Sequence, residues 1–208
     1  MNAHNLQFAY NKDMTLYDRD IREPLFQWLE EKYGMMRIIE EKQTGKARAD
    51  AVMVTVEEVI GIEIKSDADT YARLENQVKY YDWYYDRNYV VVGTSHALHI
   101  EEHVPAWWGI ITAEKEADGV DFYELRQPQV NPKRKMKRKI TLLWRPELAR
   151  IQKRNNLPAY KEKAKKFVQE KILAKIPEEQ LHREISRELF ERDYTLIEAE
   201  LEEYRQRK

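Results

Sequence analysis

The chain of 208 residues contains no cysteine. That absence excludes disulfides and thiolate-bound metals, so any cation must be held by oxygen or imidazole. It fits a reducing compartment, and a cytoplasmic location is expected. No apolar run approaches the roughly 20 residues of a membrane-crossing helix, and no early apolar stretch reads as a signal peptide. Also missing are a glycine-rich phosphate loop, a nucleophile elbow and zinc-ligand spacing, which disfavours ATP-driven and acyl-transfer chemistry. Net charge is close to absent too, at −1. Hydrophobic residues nevertheless make up 42% of the chain, enough for a core despite 35% charged residues.

The near-neutral total hides an uneven split. Residues 1–130 carry 14 Lys and Arg against 24 Asp and Glu, a net of −10. Residues 131–208 carry 22 against 13, a net of +9, and six of the seven residues 133–139 are basic. One reading is two halves that attract each other. The other is an acidic catalytic body whose basic segment gathers a polyanion. The implied division is a body over 1–130, a basic linker over 131–140 and a basic helical tail over 141–208.

Hydrophobic spacing sets the elements. Ile21, Leu25, Trp28 and Leu29 predict a first helix over 16–33, with Pro24 in its first turn or at a slight kink. Short β-rich runs follow at 36–41, 48–55 and 59–65, the last two joined as a hairpin through Val56-Glu57-Glu58. Asp67 or Asp69 is expected to cap a helix over 70–86 with Leu74, Val78, Tyr81 and Tyr85 as its apolar stripe. Strands at 89–93, 107–113 and 120–125 complete a mixed sheet with helices on both faces. On the penultimate strand Trp107 and Trp108 would face opposite sides. Beyond 140 the chain reads as helix, with Pro146 and Pro177 at first turns and a break at Asn155-Asn156-Leu157-Pro158.

Glu63-Ile64-Lys65 carries the most chemical information. On the run Val59 to Lys65, Ile60, Ile62 and Ile64 share one face while Gly61, Glu63 and Lys65 share the other. Two charged side chains at successive same-face positions of a buried strand need partners. A divalent cation also reached by Asp50, on the preceding strand, supplies one. Carboxylate oxygens suit Mg²⁺, and such a site serves phosphodiester cleavage, with Lys65 orienting water or stabilising the charged phosphorane. The plain alternative is an ion pair among Asp50, Glu63 and Lys65 on a solvated sheet. On the next helix Arg73, Gln77, Tyr80 and Tyr84 form a polar stripe that could meet phosphate or stack on bases, or simply cover core edges. Arg22 falls inside the apolar arc of the first helix, which predicts burial with a partner. His96 and His99 could approach the site, more in keeping with hydrogen bonding than with ligation of Mg²⁺.

In these residues the sequence resembles the PD-(D/E)XK, or restriction-endonuclease-like, nuclease superfamily, and is similar to a group of small bacterial and phage members. The resemblance runs through Asp20-Ile21-Arg22, Arg48-Ala49-Asp50, Gly61 to Asp67, Asp69-Thr70, Arg73-Leu74, Gln77, Val91-Val92-Gly93 with His96, and Pro105 to Ile110. It implies an α/β fold with an αβββαβ core, plus the helical C-terminal segment. It implies metal ligands at Asp50 and Glu63, a catalytic lysine at Lys65 and a helix glutamine at Gln77, with Arg22, Glu40, Asp67 and Arg73 in support. Ala49 stands where the superfamily name has proline, and the first-helix acid has no clear equivalent, leaving Glu40 or Glu41 for that role. The expected function is Mg²⁺- or Mn²⁺-dependent hydrolysis of DNA. The alternative is a nuclease-fold module that binds nucleic acid or protein without turnover, such as a phage or host regulator. Lys133, Arg134, Lys135, Lys137, Arg138 and Lys139 are the expected nucleic-acid contacts, against the plainer reading of a solvated connector. The helical tail is open to dimerisation or docking.

Overall fold

The computed structural model describes residues 15–193, so residues 1–14 of the expected body and 194–208 of the expected tail lie outside the described residues. Helix α1 spans Asp18–Tyr33. Strands β1 (Arg37–Thr44), β2 (Ala47–Val54) and β3 (Val59–Lys65) follow, then helix α2 (Leu74–Tyr84) and strand β4 (Arg87–Gly93). Strands β5 (Gly109–Glu116) and β6 (Gly119–Arg126) complete one six-stranded sheet in the order β1-β2-β3-β4-β5-β6. β3 runs parallel to β4 and β4 to β5, while the other neighbours pair antiparallel. The fold is therefore α/β with a mixed sheet flanked by helices, as the element order predicts.

Alternation on β3 divides the core. Ile60, Ile62 and Ile64 point to one face, where Leu16, Ile21, Leu25 and Leu29 of the α1 region close over them. Truncating Leu25, which is fully buried, to alanine costs about 2–5 kcal/mol. Pro24 lies in the second turn of α1 rather than the first, where its missing N–H forfeits one helical bond. On the opposite face Tyr81 and Tyr85 of the α2 region press so close to β3 that a Cβ at Gly61 would meet their rings at 2.7 and 2.3 Å. Only glycine admits that approach.

Among the described residues four helices follow the sheet: α3 (Met136–Lys139), α4 (Arg145–Arg154), α5 (Lys165–Lys175) and α6 (Glu178–Phe190). Pro146 sits in the first turn of α4, Pro177 immediately precedes α6, and the chain leaves α4 at the expected break. These helices cover the α2 face of the sheet: Ile140, Leu148, Ile172 and Leu189 share one apolar cluster with Val54, Val90 and Trp108. Arg192 is buried and forks onto Glu147 at 2.6 and 2.8 Å, fastening the end of the described chain to α4.

Two local expectations fail. Trp107 and Trp108 precede β5 instead of lying on it, and both indole N–H groups donate to Asp82 Oδ1, at 3.1 and 2.9 Å. A turn lets adjacent side chains converge, which a pleated strand forbids. Neither Asp67 nor Asp69 caps α2, which is entered through a 3₁₀ turn, Tyr71–Arg73, without a side-chain cap. Asp69 instead accepts the N–H and hydroxyl of Ser66 at 2.9 and 2.6 Å.

Candidate active site

The centre forms where β2 parts from β3. Their pairing ends at Ala51↔Ile62, one residue short of Asp50 and Glu63. Asp50 Oδ2 then accepts the Ile64 N–H at 2.8 Å, so a carboxylate replaces the missing rung of the ladder. On its other side β2 is also irregular. β1 pairs Glu40 with Ala51 and Lys42 with Ala49, leaving Asp50 and Glu41 out of register. Glu41 takes a positive φ of 49°, a sparsely populated conformation for a non-glycine residue. The side chain of Asp50 keeps 21% of its surface open at this gap.

Glu63 is completely buried. One carboxylate oxygen pairs with the Lys65 ammonium, two residues on and on the same strand face. The other accepts the Tyr81 hydroxyl proton at 2.7 Å. The same hydroxyl oxygen lies 3.1 Å from the Ile62 carbonyl and accepts the Asp50 N–H at 3.3 Å, so it spans both strands. Gln77 lies one helical turn before Tyr81, and its buried Oε1 has no hydrogen-bond partner among the described residues. Arg22 reaches in from α1. It donates to Asp18 at 2.5 Å, Glu41 at 2.9 Å, Glu40 at 3.3 Å and the Asp50 carbonyl at 3.1 Å, and lies 3.9 Å from Asp50 Oδ1.

Acid outnumbers base here. Five carboxylates, from Asp18, Glu40, Glu41, Asp50 and Glu63, are shared among Arg22, Arg48 and Lys65. Burial pushes Glu63 up to about 7, with the neighbouring Asp50 adding to the rise and Lys65 and Tyr81 opposing it. Burial likewise raises Asp50, against the Ile64 N–H and Lys65. Both ionised forms therefore want more positive charge than the protein supplies. Two carboxylates, with the unpartnered amide oxygen of Gln77 one helical turn from Tyr81, suit a hard cation, and Mg²⁺ commonly takes one or two carboxylates and completes its shell with water and phosphate. No group of three or more His, Asp or Glu able to hold an ion occurs among the described residues. A cation here would depend on solvent and substrate for its remaining ligands.

The structure thus brings Asp50, Glu63, Lys65, Arg22 and Glu40 together, with Gln77 a turn from their Tyr81 contact. Other expected members stand apart. Asp67 is a clamp: it accepts the N–H of Leu16 at 2.9 Å and the N–H and hydroxyl of Ser95 at 3.1 and 2.7 Å. A Cβ at Gly93 would lie 2.3 Å from its carboxylate. Arg73 is exposed, with no hydrogen bond or ion pair to the centre. Tyr84 is buried and Tyr80 lies over Gly45, so Tyr84 is not free to stack on a base. His96 packs its ring on Tyr71 at 4.8 Å, and exposed His99 is 3.7 Å from Glu102.

The basic segment is not uniformly solvated. Lys139 is fully buried, bonds Asp86 and His182 at 2.7 Å, and is withdrawn from the expected nucleic-acid contacts because its ammonium cannot reach a ligand. Arg134 also faces Asp86, at 3.6 Å. Lys133, Lys135, Lys137 and Arg138 remain exposed. The residue that sequence reasoning missed is Tyr81. It sits in the apolar stripe of α2, and the one available signal was its position four residues after Gln77.

A family model described as bacteriophage P4 protein cII matches residues 11–208. No curated protein matches. Among solved structures, the Pyrococcus furiosus SfsA in complex with Ca²⁺ is similar at 15% identity and a TM-score of 0.31, over 50% of this chain and 59% of that one. The alignment therefore spans less than two thirds of the SfsA chain.

Proposed function

Starting from the fact that the chain belongs to the bacteriophage P4 protein cII family, we propose that it acts on nucleic acid by metal-dependent hydrolysis of phosphodiester bonds, in DNA. The observation that carries this reading is the excess of carboxylate where β2 parts from β3, with Lys65 on the same strand face as Glu63. Asp50 and Glu63 would hold Mg²⁺ or Mn²⁺. The bound ion would supply a water of lowered pKa and neutralise charge on the phosphate. Tyr81 fixes the Glu63 carboxylate through its hydroxyl, and Arg22 positions Asp50 through the main-chain carbonyl. Lys65 offers an ammonium to the attacking water or to a phosphate oxygen, and Gln77 a free amide oxygen to the same water.

The test is cleavage of single-stranded, duplex and branched DNA with Mn²⁺, comparing the native protein with Glu63→Gln and Lys65→Ala. Loss of product in both variants is expected. Activity that persists in both removes this centre as its source. A second reading is a binding module without turnover. It is favoured by the Lys65 ammonium already occupying a Glu63 oxygen, and by the lack of a third carboxylate or imidazole ligand among the described residues. It expects salt-sensitive DNA binding, no Mn²⁺-dependent product, and no change in binding in the Glu63→Gln variant.

A further inference from the structure

The outer face of α2 carries a cluster that the acidic centre does not use. Lys79 and Trp83 stand one turn apart there, while Tyr81 faces inward to Glu63. Three cations surround the Trp83 indole: Lys79 Nζ at 5.3 Å from the ring centroid, Lys135 Nζ at 4.8 Å and Arg138 Cζ at 5.4 Å. Lys133 Nζ lies 4.8 Å from the Trp107 centroid. The segment is held in place by its backbone, the Lys135 N–H donating to the Trp83 carbonyl at 3.0 Å.

These charges are gathered without being neutralised. Among the described residues no carboxylate pairs with Lys79, Lys135 or Arg138, and Lys133 only approaches Asp82, at 3.8 Å. Indole faces attract cations but leave the positive field intact. Three of the four cations come from the basic segment 133–139, which lays them beside Lys79 on a body whose residues 1–130 carry a net of −10. A polyanion is the ligand that offsets this gathered positive charge.

We propose that this indole-backed cluster is a docking surface for the phosphate backbone of a nucleic acid. The proposal rests on the nucleic-acid reading above and adds where the strand lies. Four cations on two indoles match a run of phosphates, whereas one small anion would meet only part of them. The surface lies across α2 from Gln77 and Tyr81, about one helix diameter or ~10 Å, which is about three nucleotides of a strand. Binding and chemistry therefore fall on separate side chains.

The experiment measures fluorescence anisotropy of labelled single-stranded and duplex DNA on the full chain, in chelator, across a salt series. The variant is K79Q/K135Q/R138Q, and the control is K46Q/K161Q/K166Q, an equal charge change at exposed positions elsewhere. The variant should bind on the order of tenfold or more weakly at about 0.1 M salt, with its log–log salt slope reduced by about 2–3. The control should stay within about twofold of the native chain. Equal losses in both triples, no loss in the first, or no DNA binding by the native chain would overturn the proposal. Thermal melting verifies that both triples fold. The two readings fail separately: a native chain that binds DNA without Mn²⁺-dependent product fails the centre and spares the surface, whereas a first triple that binds and cleaves like the native chain fails the surface and spares the centre.

Discussion

Both ends of β3 are finished by a carboxylate, yet the two ends live in opposite electrostatic surroundings. At its start, Asp86 accepts the Val59 N–H at 2.7 Å, and at its finish Asp50 accepts the Ile64 N–H at 2.8 Å. Asp86 is wholly buried and faces Lys139 at 2.7 Å, His182 at 3.3 Å and Arg134 at 3.6 Å. Asp50 is partly open and has Glu63 beside it, a second acid whose ionisation it opposes. One backbone device thus serves two ends. Surplus base at the first makes Asp86 an anchor, and surplus acid at the second leaves a deficit that a cation can fill. Stability and the proposed chemistry would then separate along a single strand.

Substitutions should break the comparison unequally. The largest effect is expected for Asp86→Ala, which strands the Lys139 ammonium in the core and should cost about 3–5 kcal/mol by urea unfolding. Tyr81→Phe should cost about 1–3 kcal/mol, because buried Glu63 loses a donor. Its DNA cleavage should also fall, read as product formed with Mn²⁺ relative to the native chain.

Acid sharpens the contrast next. Burial, with Lys139 adding to it, lowers His182 from 6.5 to about 4. Between those values the unfolded chain binds a proton that the folded chain refuses, so stability rises with pH and is lost as pH falls through the window. That is the His182 contribution alone, up to about 1.4 kcal/mol per pH unit. Glu63, raised from 4.5 to about 7, opposes it, so the test is the difference in unfolding free energy between the native chain and His182→Asn, which should grow as pH rises from 4 to 7. The smallest change in stability belongs to Asp50→Asn. Its amide oxygen still accepts the Ile64 N–H and one repelling charge is gone, so unfolding should shift by less than about 1 kcal/mol. Mn²⁺ binding by calorimetry should nonetheless disappear.

Much of the β3 finish was legible in the sequence. Period-two alternation places Glu63 and Lys65 on one face and the three isoleucines on the other, and no tertiary knowledge is needed for that. Proximity of Asp50 followed from the hairpin, although the parting of the strands did not, because register irregularities leave little trace in residue types. Tyr81 read as core since a tyrosine ring in an apolar stripe conceals where its hydroxyl ends. The start of β3 was illegible. Nothing in a run of lysines and arginines tells which one turns inward, and the acid that selects Lys139 lies 53 positions earlier. Trp107 and Trp108 misled for a related reason: the apolar run was real, but the strand begins only at Gly109.

The tie between Asp86 and Lys139 also sets a timetable. A ribosome adding about 5–20 residues per second needs about 3–10 s to travel from one to the other. During that interval the nascent sheet holds a lone acid without its counter-charge and an apolar side without its cover. Vectorial synthesis would therefore deliver a half-built intermediate, and the helices emerging last would complete the first strands made.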